Sequence, residues 1–321
     1  MSVFRATSAK IRVAACHFEF TMDNCGPVVD TAYLNRIHFV ERFLLTTSRQ
    51  PHLIVFPEAF ASDELINRAK SWAKRGIATV CGTRLEPSSQ TINAVIVTPK
   101  SIIYAPKINL SPYDAELAGV RPRCGDSDLA MFSVDVADHT GSPFSVGVGV
   151  LVCMDFRFVA ETMANTMPVS LVVVPMFEDR VQEPFNIARN LAKRHFVRTI
   201  LVNKASFRIR LPQDRRTTRL FRLADWLSRE QFFPRLLGAV ARFFRMGMLP
   251  SAAFGPMNAN DRQHLKSIGL KPNAQALRIW THKKEAIVCG DYEVGVHSAP
   301  GNDSVLGAGY FYSSFTVDRF Y

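Results

Sequence analysis

The chain has 321 residues, of which 47% are hydrophobic and 21% charged. That balance supplies a sizeable core and excludes wholesale disorder. No run approaches the ~18 apolar residues of a membrane-spanning helix. The net charge of +11 is concentrated in residues 207–285, where 16 Lys/Arg face 5 Asp/Glu, so the remainder is close to neutral.

Met1–Lys10 is polar and basic, without the apolar core of a secretory signal, and the expectation is a cytoplasmic protein. Residues 11–18 read as a buried strand. Over 31–47, Leu34, Ile37, Val40 and Leu44 recur at helical spacing. A second buried strand covers 52–56 and stops at Pro57, which cannot continue a central ladder. A helix over 63–74 leads to a strand at 77–82. Strands at 92–97 and 101–106 flank Pro99-Lys100, a hairpin signal. Residues 107–145 are rich in Pro, Gly and Asp and read as irregular. A strand at 145–153, a short helix at about 159–167, a strand at 170–175, a helix at 183–197 and a strand at 199–206 complete an alternating pattern. Several strands are apolar on both faces, which favours α/β architecture with covered sheets. Residues 207–249 hold ten arginines interleaved with Leu and Phe. They fit one or two amphipathic helices with Pro234 near a boundary. Strand-like sequence returns at 286–296 and near the end in FTVD.

Three polar residues stand at strand ends, where α/β folds place function. Glu58 follows the apolar run LIVF, and partial desolvation should raise its pKa towards that of a useful base. Lys107 follows SIIYAP, with Glu116 nine residues on, and an ammonium there suits an oxyanion. Cys153 ends GVGVLVC, and a helix beginning beside it would lower the thiol pKa. The six cysteines contain no CxxC pair and no close zinc-type Cys/His spacing. There is no H-E-x-x-H, Walker loop, G-x-S-x-G or dinucleotide fingerprint, so no metal and no cofactor is expected.

The order FPE after a strand, then K-x-x-L-x-P-x-x-x-E, then a strand entering C-x-D-x-R-F, resembles the nitrilase, or carbon–nitrogen hydrolase, superfamily. The likeness covers residues 11–206 and returns loosely at 288–321. It implies a single domain over 1–321, folded as a four-layer α-β-β-α sandwich whose subunits pair through helices, so a homodimer or higher homo-oligomer. It also implies Glu58 as general base, Lys107 as oxyanion-stabilising lysine, Cys153 as nucleophile and Glu116 as the glutamate orienting lysine and substrate. Met154 would give its backbone N–H to the oxyanion, and Tyr113 and Phe177 would line the substrate pocket. Met154 stands where true nitrilases carry tryptophan, which makes a small amide the better expected substrate. His17 replaces a glutamine common in the family.

Residues 207–285 depart from the family as a basic, aromatic-rich insertion. Three readings stay open for them: packing on the sandwich or a subunit interface, a lid whose arginines select an anionic substrate, or a docking surface for a partner protein, membrane or nucleic acid. The last would fit a catalytically weak scaffolding protein that keeps the fold.

Overall fold

A computed structural model describes residues 8–23, 26–86, 88–111, 129–137, 141, 143–178, 182–205, 251–255, 276–280, 285–295 and 315–319. In chain order these form β1 (Ser8–His17), a small hairpin of β2 (Met22–Asp23) and β3 (Gly26–Pro27), α1 (Thr31–Thr46), β4 (Leu53–Val55), α2 (Asp63–Ala73), β5 (Ala78–Glu86), β6 (Thr91–Val97) and β7 (Ile102–Pro106). There follow β8 (Ala130–Ala137), β9 (Pro143–Val150), α3 (Met154–Thr166), β10 (Leu171–Met176), α4 (Gln182–Arg194) and β11 (Arg198–Asn203). The last strands are β12 (Ser251–Phe254), β13 (Ala276–Trp280), β14 (Ala286–Gly295) and β15 (Phe315–Arg319).

Two sheets result, with strand orders β15-β14-β1-β4-β5-β6-β7 and β13-β12-β11-β10-β9-β8. The pleat of β1 explains how they stack. Ala9, Ile11, Val13 and Ala15 join the core that also holds the second sheet, whereas Ala14 and Cys16 point to the core under α1 and α2. One face of the strand therefore meets a sheet and the other meets helices, as period-2 alternation demands. On the far side, Phe156, Ala160 and Met163 of α3 and Phe185, Ala188 and Leu191 of α4 pack on the second sheet. The layers run helix, sheet, sheet, helix, which is the α-β-β-α sandwich expected from the sequence.

Local chemistry starts the helices where they start. Asp30 caps α1 by accepting from Tyr33 N at 2.7 Å, and Ser62 caps α2 by accepting from Leu65 N at 3.1 Å. The Tyr33 hydroxyl donates to the Phe60 carbonyl at 2.8 Å, fastening α1 to the loop that follows β4.

Three expectations need correction. The stretch read as irregular contains β8, whose Phe132, Val134 and Val136 are buried while Ser133, Asp135 and Ala137 are exposed. That alternation is a strand signal, masked by the Pro- and Gly-rich sequence before it. Helix α3 begins at Met154, not at 159, because the chain turns directly out of the strand end at Cys153. Finally, β12 and β13 lie within the segment 207–285 and extend the second sheet beyond β11. Residues 207–249, with their arginines and Pro234, lie outside the described residues. Among the described residues no helix is long and apolar enough to cross a membrane.

Candidate active site

In the first sheet β1, β4 and β5 run parallel, as do β9, β10 and β11 in the second. The carboxyl ends of parallel strands are where an α/β sheet opens a crevice, and the candidate residues stand there.

Glu58 lies in the turn after β4 and is only 6% exposed. The neighbouring strand shapes that turn. Ala59 adopts a left-handed φ of 58°, and its N–H donates to Thr83 Oγ1 of β5 at 2.9 Å. Gly82, at φ +90°, sits so close that a Cβ there would lie 2.1 Å from the Pro57 carbonyl oxygen. Only a residue without a side chain lets β5 support the turn at that range.

Lys107 follows β7, and its backbone N–H donates to Ile92 O at 2.8 Å. The side chain turns inward to 3% exposure, and Nζ stands 2.7 Å from Glu58 Oε1. Two unlike charges so deeply buried are tolerable only as a pair, and removing either partner strands the other.

Cys153 connects β9 to α3. It is 8% exposed and takes the N-cap position with φ 43° and ψ −101°, outside the regions an L-residue favours. Its N–H donates to Pro175 O at 3.0 Å, and Sγ lies 3.9 Å from Phe177 O. Backbone strain at a strand-to-helix turn marks places where side-chain aim is fixed by its surroundings. Burial pushes the thiol well above its ordinary value, and the Glu58 carboxylate adds to this while the Lys107 ammonium opposes it. The thiol is thus raised where a lowering was expected: desolvation outweighs the Lys107 cation. Glu58 and Lys107 meet although 49 residues separate them in the chain, and both bear electrostatically on the sulfur.

The rim carries residues to which the sequence assigned no role. Glu178 accepts from Arg157 Nη2 at 2.6 Å, and Asn203 Nδ2 donates to its carbonyl at 2.8 Å. Arg157 also pairs with Glu183 at 2.9 Å. Lys204, just past β11, is buried with Nζ 4.8 Å from the centre of the Phe20 ring and 5.3 Å from that of Phe177. His17 Nδ1 lies 2.8 Å from Ser251 Oγ and 3.1 Å from Asn203 O, joining β1 to the second sheet. Its ring finds a polar setting there. Asp155, in the first turn of α3, accepts hydrogen bonds from Ile108 and Asn109.

Of the residues singled out from sequence, Glu58, Lys107, Cys153 and Phe177 come together, and Met154 begins the helix beside them. Tyr113 and Glu116 lie outside the described residues. Among the described residues no group of three or more His, Cys, Asp or Glu side chains is placed to hold a metal ion.

No protein-family model matches the sequence, and no curated protein matches it. Among solved structures the chain is similar to nitrilase-superfamily members. One, from Saccharomyces cerevisiae, belongs to branch 10 of that superfamily, with 22% identity, a TM-score of 0.45, and coverage of 64% of this chain and 80% of the other. An amidase from Nesterenkonia sp. has 18% identity and a TM-score of 0.43 over 64% of this chain and 80% of its own. A carbon–nitrogen hydrolase superfamily protein from Xanthomonas campestris, with an arsenic adduct in its active site, has 15% identity and a TM-score of 0.41 over 61% and 76%.

Proposed function

We propose that this chain is an amidase-like carbon–nitrogen hydrolase, cleaving the non-peptide C–N bond of a small amide through a thioester on Cys153. One observation carries the reading: a buried carboxylate and a buried ammonium, 2.7 Å apart, both act on a thiol at a strained strand-to-helix turn.

The chemistry follows from the electrostatics. Because burial keeps the Cys153 thiol protonated at neutral pH, a base must remove the proton as the sulfur attacks. Glu58 takes it while Sγ bonds to the amide carbon and the carbonyl π electrons move to oxygen. Lys107 and the Met154 N–H stabilise the resulting oxyanion, each donor contributing on the order of 3 kcal/mol. The oxyanion collapses, the C–N bond breaks, and Glu58 returns its proton to the departing amine. Water then attacks the thioester while Glu58 accepts one of its protons. The C–S bond breaks, the acid leaves, and the thiol regains a proton. Glu116 completes the proposed set as the group that orients Lys107. Tyr113 and Phe177 complete the pocket wall.

Mass spectrometry of the intact protein with a panel of small amides tests this. The expected result is a transient acyl adduct on wild-type protein and ammonia release that disappears in Cys153→Ala. Ammonia release that survives the substitution refutes it. We further propose that copies of the chain pair through their outer helical layer. Phe158 of α3 is 64% exposed and Phe196, just after α4, is 49% exposed, and large apolar groups in water favour an interface. Phe158→Glu should then lower the mass measured by light scattering.

A further inference from the structure

Lys107 and Cys153 ride on different sheets, and β7, which delivers the lysine, is an edge strand paired on one side to β6. Its last ladder partner is Asn93, opposite Pro106. Beyond the Lys107 N–H, the backbone of Ile108 and Asn109 is met by the side chain of Asp155 from the opposite layer. Asp155 is buried at 2% exposure. Its Oδ1 accepts from Asn109 N at 2.6 Å, from Asn109 Nδ2 at 3.0 Å and from Ile108 N at 3.2 Å, and Oδ2 accepts from Ile108 N at 3.2 Å. The same residue belongs to the first turn of α3, two positions after Cys153, and its own N–H donates to Val152 O at 2.8 Å.

We propose that Asp155 is a positioning residue: by tying the chain immediately after Lys107 to the helix that Cys153 caps, it sets where the ammonium stands relative to the sulfur. Its side chain accepts from Ile108 and Asn109, so it acts through the lysine that precedes them. A carboxylate suits the task because it offers acceptors only, and bonds from N–H donors to a charged acceptor are about twice as strong as neutral ones. Asparagine at the same place would set an NH₂ group against at least one of those N–H donors. The groups acting on the sulfur are Glu58 after β4, Lys107 after β7 and Glu178 after β10. Of these, Lys107 is the one that directly precedes the backbone N–H groups from which Asp155 accepts.

The inference rests on the reading of Cys153 as nucleophile, and it is tested by a measurement that needs no amide turnover. Iodoacetamide alkylation of Cys153 is followed against pH by peptide mapping in wild type, Asp155→Asn, Lys107→Met and the double variant. A displaced ammonium ceases to favour the thiolate, so Asp155→Asn should be alkylated about tenfold more slowly at pH 7.5, with its profile moved about one unit upward. Lys107→Met should behave alike, and the double variant should be no slower than Lys107→Met, because the two changes remove one interaction. Losses that multiply in the double variant, or a profile for Asp155→Asn that overlays wild type, overturn the proposal. Mere loosening is excluded by direction, since it speeds labelling and exposes Cys16 and Cys81. If Asp155→Asn shows such labelling, Asn109→Ala decides. It removes the 3.0 Å arm alone and should slow Cys153 alkylation two- to threefold, whereas an unchanged rate refutes the claim. Should wild-type protein hydrolyse no amide while this order of rates holds, the amidase reading fails and the positioning role stands.

Discussion

Gly82→Ala is the sharpest perturbation of the site that leaves every proposed reacting group chemically intact. The added Cβ would lie 2.1 Å from Pro57 O and 3.1 Å from Phe60 N, both backbone atoms, where ordinary contact begins at 3.4 Å. The carbonyl must therefore retreat by about 1.3 Å, and Glu58 is the next residue along. A displacement near 1 Å in a reacting group costs on the order of 100-fold in rate. Overpacking of about 1–3 kcal/mol, with a further ~1–2 kcal/mol for alanine at positive φ, sets the stability loss. Gly147→Ala is the matched control. Its Cβ meets Pro168 O, again at 2.1 Å, but beyond the far end of α3, some 20 Å from the cap at Cys153. Urea titration should show both variants destabilised, and turnover at 20 °C should fall by about two orders of magnitude in Gly82→Ala alone. Equal kcat values in the two variants would refute the claim that β5 holds the Glu58 turn in place.

Lys107→Met leaves the Glu58 carboxylate buried without this cation, and a loss of about 3–5 kcal/mol is expected in urea unfolding at neutral pH. Burial holds the thiols of Cys16, Cys81 and Cys153 above their ordinary value of 9.0. Above pH 9 the unfolded chain thus releases protons that the folded chain keeps, and stability falls by about 1.4 kcal/mol per pH unit for each thiol. Urea midpoints at pH 8 and pH 10 read the decline, which Cys81→Ala should make shallower. Ser62→Ala removes the cap of α2 and the partner 2.8 Å from the Tyr33 hydroxyl, and should lower stability by about 1–2 kcal/mol in the same titration.

Much of this was legible in advance because the site groups interrupt apolar strands. Glu58 and Cys153 each follow a run of buried residues and Lys107 follows an apolar edge strand, and the order of the three motifs together pointed to a site where each residue alone did not. That the sheets are covered on both faces was legible in the same way, from strands apolar on both faces, whereas the four-layer stacking was implied only by the motif resemblance. Asp155 was visible within its motif, yet its role was not, because its partners Ile108 and Asn109 lie 47 and 46 residues away. Lys204 was silent for a related reason. A lysine after a strand reads as solvated, and its burial arises where the rings of Phe20, from the loop after β1, and Phe177 come against it. The direction of the Cys153 pKa was missed because helix ends and cations can be read locally, whereas desolvation depends on how the whole sandwich closes. His17 is likewise explained only by Ser251, which stands 234 residues later.

The division of labour between the sheets also orders events in time. Carboxylate and ammonium are carried by one half of the sandwich and the sulfur by the other, so neither half assembles the proposed centre alone. During refolding from denaturant, far-ultraviolet ellipticity should recover while strands and helices form, and catalytic competence should lag until the halves dock. A delay between the two signals would clock that docking step directly.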